Sequence, residues 1–200
     1  MIQTPCAVIP AAGRSSRMGT RNKLLLPLGG KTLIEHTLAP YLQIQDMAVF
    51  VVLGYQRERF ERVLAPYPVR LIHNPDHETG LASSLVRGVS AAGENRSGYL
   101  FALGDMPLIQ PATVRLLLDR FCGSQEPRIV LPTRGGCGGH PVIFSRHYFA
   151  DLVALSGDRG AKSVIEAHAA EVVSVAVNDK GVLRDVDHER AYRELRTEWS

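Results

Sequence analysis

Ala7-Val-Ile-Pro-Ala-Ala-Gly-Arg-Ser-Ser-Arg-Met-Gly-Thr-Arg-Asn-Lys23 opens as a short apolar run and becomes a loop of small and basic residues. Residues 7–9 read as a buried strand that breaks at Pro10. Ala11, Ala12 and Gly13 are small enough for a backbone to approach a ligand, and Gly13 and Gly19 permit positive φ. Successive backbone N–H groups in such a loop form an anion-binding concavity. Arg17 and Lys23 add charge that can meet phosphate oxygens. A strand feeding a small, basic loop is what a nucleoside triphosphate site needs. A glycine-rich turn with solvated basic residues is the plain alternative.

The chain of 200 residues suits one domain, residues 1–200. Its formal net charge of +3, with no basic block, argues against nucleic acid as a partner. No apolar run is long enough to span a bilayer. Residues 1–5 lack the basic start and apolar core of a signal peptide. Cys6, Cys122 and Cys137 form no C-x-x-C pair, so free thiols in a reducing compartment, the cytoplasm, are expected.

Beyond the first loop, strands are expected over 47–53, 69–72, 99–103, 128–132, 142–144 and 171–177. Helices are expected over 31–42, 56–64, 81–92, 111–121, 146–155, 161–168 and 188–199. Residues 133–139 read as a flexible loop and 183–186 as a short extended piece. The alternation of strand and helix predicts an α/β domain with a mainly parallel sheet. Ligands of such sheets bind at the carboxyl ends of strands. Gly30-Lys31-Thr32 resembles the end of a P-loop, but the glycine required upstream is Leu25, so it reads as a helix start.

Several residues fall just after expected strands. Asp105 can hold Mg²⁺ together with substrate phosphates, or serve as a turn or cap residue. Asp185 and Asp187 alternate, and in an extended segment both carboxylates point to one side. One could complete a metal site with Asp105, or Asp187 could cap the last helix. Gly80, Ser83 and Ser84 open a helix, where polar ligand groups such as a ribose or base are attracted, or plain capping suffices. His140 is an acid–base candidate or a structural residue before a short strand. Gly136-x-Gly138-Gly139 leads into a strand and is no dinucleotide fingerprint. His73 and His77 are four apart, but Pro75 between them argues against helical zinc ligation.

Ile9-Pro-Ala-Ala-Gly-Arg-Ser-Ser-Arg-Met-Gly19 with Lys23 resembles the signature loop of the MobA-like nucleotidyltransferases. The resemblance extends through Gly80-Leu-Ala-Ser-Ser-Leu85, Leu103-Gly-Asp-Met-Pro107, Gly139-His-Pro-Val142, Gly157-Asp-Arg-Gly-Ala161 and Asp185-Val-Asp187. It implies a three-layer, Rossmann-like nucleotidyltransferase fold. Within the family, the Ala-Ala-Gly loop is similar to the molybdenum cofactor cytidylyltransferases, whereas guanylyltransferases carry Ala-Gly-Gly. Ala12 therefore implies CTP over GTP.

The implied reaction moves CMP from CTP to the terminal phosphate of molybdopterin and releases pyrophosphate. By resemblance Lys23 meets the α-phosphate and Arg17 the β- and γ-phosphates. Residues Pro10, Ala11, Ala12, Gly13, Arg14 and Ser15 surround the nucleotide, and Gly80, Ser83 and Ser84 hold the nucleoside. Asp105 and Asp187 hold Mg²⁺, and His140 and Asp158 lie on the acceptor side. The recipient molybdoenzyme is a further partner. Two departures stand out. Pro10 replaces the family's usual Leu, as in the methylerythritol phosphate cytidylyltransferases, and His188-Glu189-Arg190 replaces Thr-Pro-Glu after the D-x-D. Three alternatives keep parts of this reading: a sugar or polyol phosphate acceptor, guanylyl transfer from GTP, and a non-catalytic protein that escorts the cofactor.

Overall fold

The computed structural model describes residues 4–15, 21–123 and 128–199. Its strands are β1 (Cys6–Ala11), β2 (Pro27–Leu28), β3 (Lys31–Thr32), β4 (Val49–Leu53), β5 (Val69–His73), β6 (Gly98–Phe101), β7 (Ile129–Arg134), β8 (Cys137–Gly138), β9 (Val142–Ser145) and β10 (Val172–Ala176). Its helices are α1 (Leu33–Leu42), α2 (Arg57–Leu64), α3 (Leu81–Ala92), α4 (Pro111–Cys122), α5 (Phe149–Val153), α6 (Lys162–Ala167) and α7 (Glu189–Trp199).

Side chains of the central strands alternate between two cores. Ala7, Ile9, Ala11, Val49, Val51 and Leu53 enter one; Cys6, Val8, Phe50 and Val52 enter the other. A strand apolar on both faces needs cover on both. Ile34 and Leu38 of α1, Phe60 of α2 and Val114 and Leu117 of α4 cover the first face. Leu85 and Val89 of α3, Leu152 of α5 and Val164 of α6 cover the second. The expected three-layer α/β architecture follows. The main sheet runs β10-β7-β9-β6-β1-β4-β5. Along this path the pairs are parallel except at β9, which is antiparallel to β6 and β7, and β8 adds an antiparallel pair to β7.

The structure corrects five expectations about elements. First, β1 continues through Pro10, which pairs with Val52. Odd residues of β1 bond toward β4, as Ala7 N–H does to the Ala48 carbonyl, and Val8 bonds toward β6. The missing N–H of Pro10 thus faces the β6 side, where register ends at Val8, and the ladder with β4 is untouched. Second, residues 133–139 form a hairpin rather than a flexible loop. Arg134 opposes Cys137, and Gly135 and Gly136 (φ 58° and 82°) supply the two positive-φ positions of a two-residue turn.

Third, the helix expected from residue 31 starts at Leu33. Thr32 caps it, with Thr32 N–H and Oγ1–H both donating to Glu35 Oε2 (2.6 and 2.7 Å). Fourth, the helix expected over 146–155 is a 3-10 turn, Arg146–Tyr148, followed by the short α5.

Fifth, residues 183–186 do not form a strand. Lys180–Leu183 is a 3-10 turn and the chain after it is irregular. Asp179 anchors its start, accepting from Gln110 N–H, Thr113 Oγ1 and Gly181 N–H, each at 2.8 Å. Gly181 passes so close to Leu108 that a Cβ would meet its carbonyl carbon at 2.4 Å. Among the described residues no helix is long and apolar enough to cross a membrane.

Candidate active site

The carboxyl edge of β1, β4, β5 and β6 opens into a cleft of about 870 Å³. Its walls are the Pro10–Ser15 segment, the N-terminus of α3, Leu103–Asp105, and the two aspartates of the C-terminal segment.

Lys23 stands at the centre. Its ammonium donates to Asp105 Oδ2 and to Asp187 Oδ1, both at 2.5 Å. Burial opposes its charge, but the two carboxylates outweigh burial and raise its pKa above the ordinary value. Asp105 is the more buried carboxylate. Burial raises its pKa, Lys23 pulls it back, and Asp187 and Asp185 push it up again. Asp105 Oδ1 is buried and has no hydrogen-bond partner among the described residues. Asp105, Asp185 and Asp187 each offer an oxygen, and these oxygens lie within 4.8 Å of one another. The register comes from one backbone contact, Val186 N–H donating to the Asp105 carbonyl at 2.9 Å. The two aspartates flanking Val186 therefore reach the cluster without forming a strand.

Asp187 does not cap α7. His188 does, its Nδ1 accepting from Ala191 N–H at 3.1 Å. That is what stands in place of Thr-Pro-Glu, and it leaves Asp187 to Lys23.

Among the described residues of the first loop the left-handed one is Ser15 (φ 53°), not Gly13. Its hydroxyl accepts from Lys23 N–H at 3.2 Å and donates to Asn22 Oδ1 at 3.4 Å, which holds an otherwise sparse conformation. Asn22 is 2% exposed and also accepts from Leu24 N–H at 3.1 Å. It is a supporting residue that the sequence reading missed. Arg14 pairs with Glu78 and lies over the Tyr55 ring, 5.6 Å from its centroid. Arg17 and Gly19 lie outside the described residues.

Gly80 (φ 115°) lets the Gly157-Asp158 backbone and side chain close against the N-terminus of α3. A Cβ there would meet Asp158 Oδ1 at 2.4 Å and Gly157 O at 2.6 Å. Ala82 N–H donates to Gly157 O at 3.1 Å. Ser84 lines the cleft, whereas Ser83 turns back to the Gly80 and Asp76 carbonyls (2.8 and 3.1 Å). Asn74, fully buried and also missed in sequence, bonds to both serines. An Asn directly after a strand, opening a polar loop, is the only signal it leaves.

Of the two residues expected on the acceptor side, Asp158 lines the cleft, beside Gly80, and His140 does not. His140, preceding a cis-proline, stands behind the carboxylates, its N–H bonded to the Val182 carbonyl at 2.9 Å. Burial lowers its pKa against the opposing pull of the Phe101 carbonyl, Asp105 and Asp185.

The sequence pattern of the MobA-like NTP transferase domain matches residues 7–172. The chain is 31% identical over 141 residues to the molybdenum cofactor cytidylyltransferase of Escherichia coli, covering 70% of this chain and 69% of that one. It is 29% identical over 205 residues to the nicotine blue oxidoreductase of Paenarthrobacter nicotinovorans, covering 96% and 97%. The bifunctional protein GlmU of Rhizorhabdus wittichii is 32% identical over 126 residues, and the match spans 62% of this chain and 28% of that protein's length. Among solved structures, Rv0371c of Mycobacterium tuberculosis superposes with a TM-score of 0.86 at 30% identity, covering 98% and 99%. A manganese complex of the same protein superposes with a TM-score of 0.82, covering 98% and 100%. A CTP complex of CMP:2-keto-3-deoxy-manno-octonic acid synthetase (TM-score 0.75, 18% identity, covering 98% of each chain) shares the fold. With the pattern spanning most of its length, this chain belongs to the MobA-like NTP transferase family.

Proposed function

We propose that the chain is a Mg²⁺-dependent cytidylyltransferase of the cytoplasm that moves CMP from CTP to the terminal phosphate of molybdopterin. One observation carries this reading: Lys23 and three carboxylates converge beside the Ala-Ala-Gly loop in a single cleft. Three clustered carboxylates, one of which carries a buried oxygen with no hydrogen-bond partner among the described residues, suit a hard divalent cation. Asp105, Asp185 and Asp187 would hold it, and when bound it offsets charge on the triphosphate. The manganese complex of the M. tuberculosis relative supports a divalent-cation requirement.

The other steps belong to the chain's own groups. Lys23 keeps its charge and is poised to meet a phosphate oxygen. The Ala12–Gly13 backbone brings donors to the same region, and Arg17 supplies a second cation. The α3 N-terminus and the Ser84 hydroxyl receive the nucleoside. The attacking phosphate is already an anion, so no strong general base is required; alignment and charge stabilisation supply the rate. His140, set back behind the carboxylates, fits acceptor placement better than proton transfer.

The test is pyrophosphate release by the purified protein with Mg²⁺ and molybdopterin, run separately with CTP, GTP and ATP. Turnover with CTP alone supports the proposal. A preference for GTP keeps the transfer and overturns the role given to Ala12. CTP binding without turnover turns the assay to sugar and polyol phosphates as acceptors. A second reading comes from the nicotine blue oxidoreductase, which aligns over nearly the whole chain. Redox turnover of nicotine blue by the same preparation would favour it.

A further inference from the structure

We propose that Asn74 is a positioning residue that makes Ser84 a hydrogen-bond donor to the nucleoside. The inference rests on the nucleotide reading of the cleft. Asn74 directly follows β5 and is fully buried, so it cannot itself touch a ligand. Its amide orientation is set by the backbone. Asp76 N–H, which can only donate, lies 3.0 Å from Asn74 Oδ1, so the oxygen faces Asp76 and the nitrogen faces the helix. Nδ2 has two hydrogens, and it gives one to Ser83 Oγ (2.9 Å) and one to Ser84 Oγ (3.0 Å).

The two serines then differ. Ser83 passes its own proton to the Gly80 or Asp76 carbonyl. Ser84 Oγ accepts from Asn74 and, among the described residues, has no acceptor for its own O–H. Ser84 lines the cleft. A hydroxyl that accepts from an amide is polarised to donate onward. The wall therefore presents a donor, complementary to an uncharged acceptor atom of the nucleoside, such as a base carbonyl or a ribose oxygen. The site's polarity at this point is decided one residue away from the ligand.

Asn74→Asp is the test, because it keeps shape and reverses polarity. Its carboxylate still accepts from Asp76 N–H and takes the protons of both serine hydroxyls, so the buried charge keeps three donors. Ser84 would then turn lone pairs toward the nucleoside. With CTP as the probe, Asn74→Asp should raise Kd about tenfold, and Ser84→Ala, which only deletes the donor, about fivefold. The loss should fall on KM for CTP rather than on kcat. In a Ser84→Ala background, Asn74→Asp should add less than about twofold. Simple repulsion of the triphosphate by the new charge would persist undiminished in that background, and this result overturns the proposal. So does an unchanged Kd in Ser84→Ala, an arm that does not depend on the folding of Asn74→Asp. If the wild-type protein binds none of CTP, GTP and ATP, the nucleotide reading itself falls. If it binds CTP and the variants match it, only the role of Asn74 falls.

Discussion

Lys23 and Asp187, 164 residues apart in the chain, stand 2.5 Å apart in the fold. The family pattern ends at residue 172, so two of the three clustered carboxylates come from a segment beyond it. That segment is held at several points. Val186 bonds to Asp105, Arg21 pairs with Glu189 at 2.8 Å, and Tyr192 Oη donates to the Pro27 carbonyl at 2.5 Å. Val186, Tyr192 and Leu195 pack on Leu26, Leu28 and Leu33. The C-terminal segment thus completes the cleft rather than trailing from it.

Lys23 and a divalent cation would claim the same two carboxylates, Asp105 and Asp187. Lys23→Met should therefore tighten Mn²⁺ binding in the absence of nucleotide while lowering turnover about 100-fold or more. Titration of Mn²⁺ followed by electron paramagnetic resonance reads the first effect. Unchanged or weaker Mn²⁺ binding would show that Lys23 does not compete with the ion.

Gly80→Ala should cost far more than Gly136→Ala. Both glycines have positive φ, but a Cβ at Gly136 meets nothing within 4 Å, whereas at Gly80 it meets Asp158 and Gly157. Urea denaturation should show a loss of about 1 kcal/mol at Gly136 and about 3 kcal/mol at Gly80. Equal losses would mean that the Gly157–Asp158 loop gives way freely.

Glu35 makes stability depend on acid pH. Burial would raise its pKa, but hydrogen bonds from Thr32 and Tyr67, aided by Lys31, hold it below the ordinary 4.5. A depressed carboxylate contributes stability that is full above its unfolded pKa and lost as pH falls through the folded one. Glu35→Gln should cost about 1 kcal/mol at neutral pH, and the difference should shrink as pH falls below 4.5 and vanish once it is below the depressed folded pKa. A constant difference down to the acid limit would contradict this.

Thiol chemistry should separate the three cysteines. Cys6 is fully buried, and burial pushes its pKa to about 12, against the pull of Arg96 and Arg70. Cys122 and Cys137 are exposed, and burial raises the Cys122 pKa. A thiol reagent at mildly alkaline pH should label Cys137 first, then Cys122, and Cys6 only on unfolding. Labelling of Cys6 in the native protein would reveal opening of β1.

The sequence by itself determined the layers, because apolar periodicity and turn residues are local: 49–53 is apolar on both faces and needs helices on both sides. It also determined which residue types converge, since Lys23, Asp105 and Gly80 each follow an element that ends at the carboxyl edge. Only the tertiary structure decided how they meet. Pro10 stays in its strand because its missing N–H faces β6 and leaves the ladder with β4 intact. Residues 133–139 become a hairpin because β7 has an edge for β8 to pair with. Asp185 and Asp187 reach Asp105 through one backbone bond at Val186, not through the extended geometry that their spacing suggests. Asn22 and Asn74 carry no motif. Their importance comes from burial and from the donors and acceptors around them, and those are set by contacts between segments distant in sequence or by the turn that closes between them.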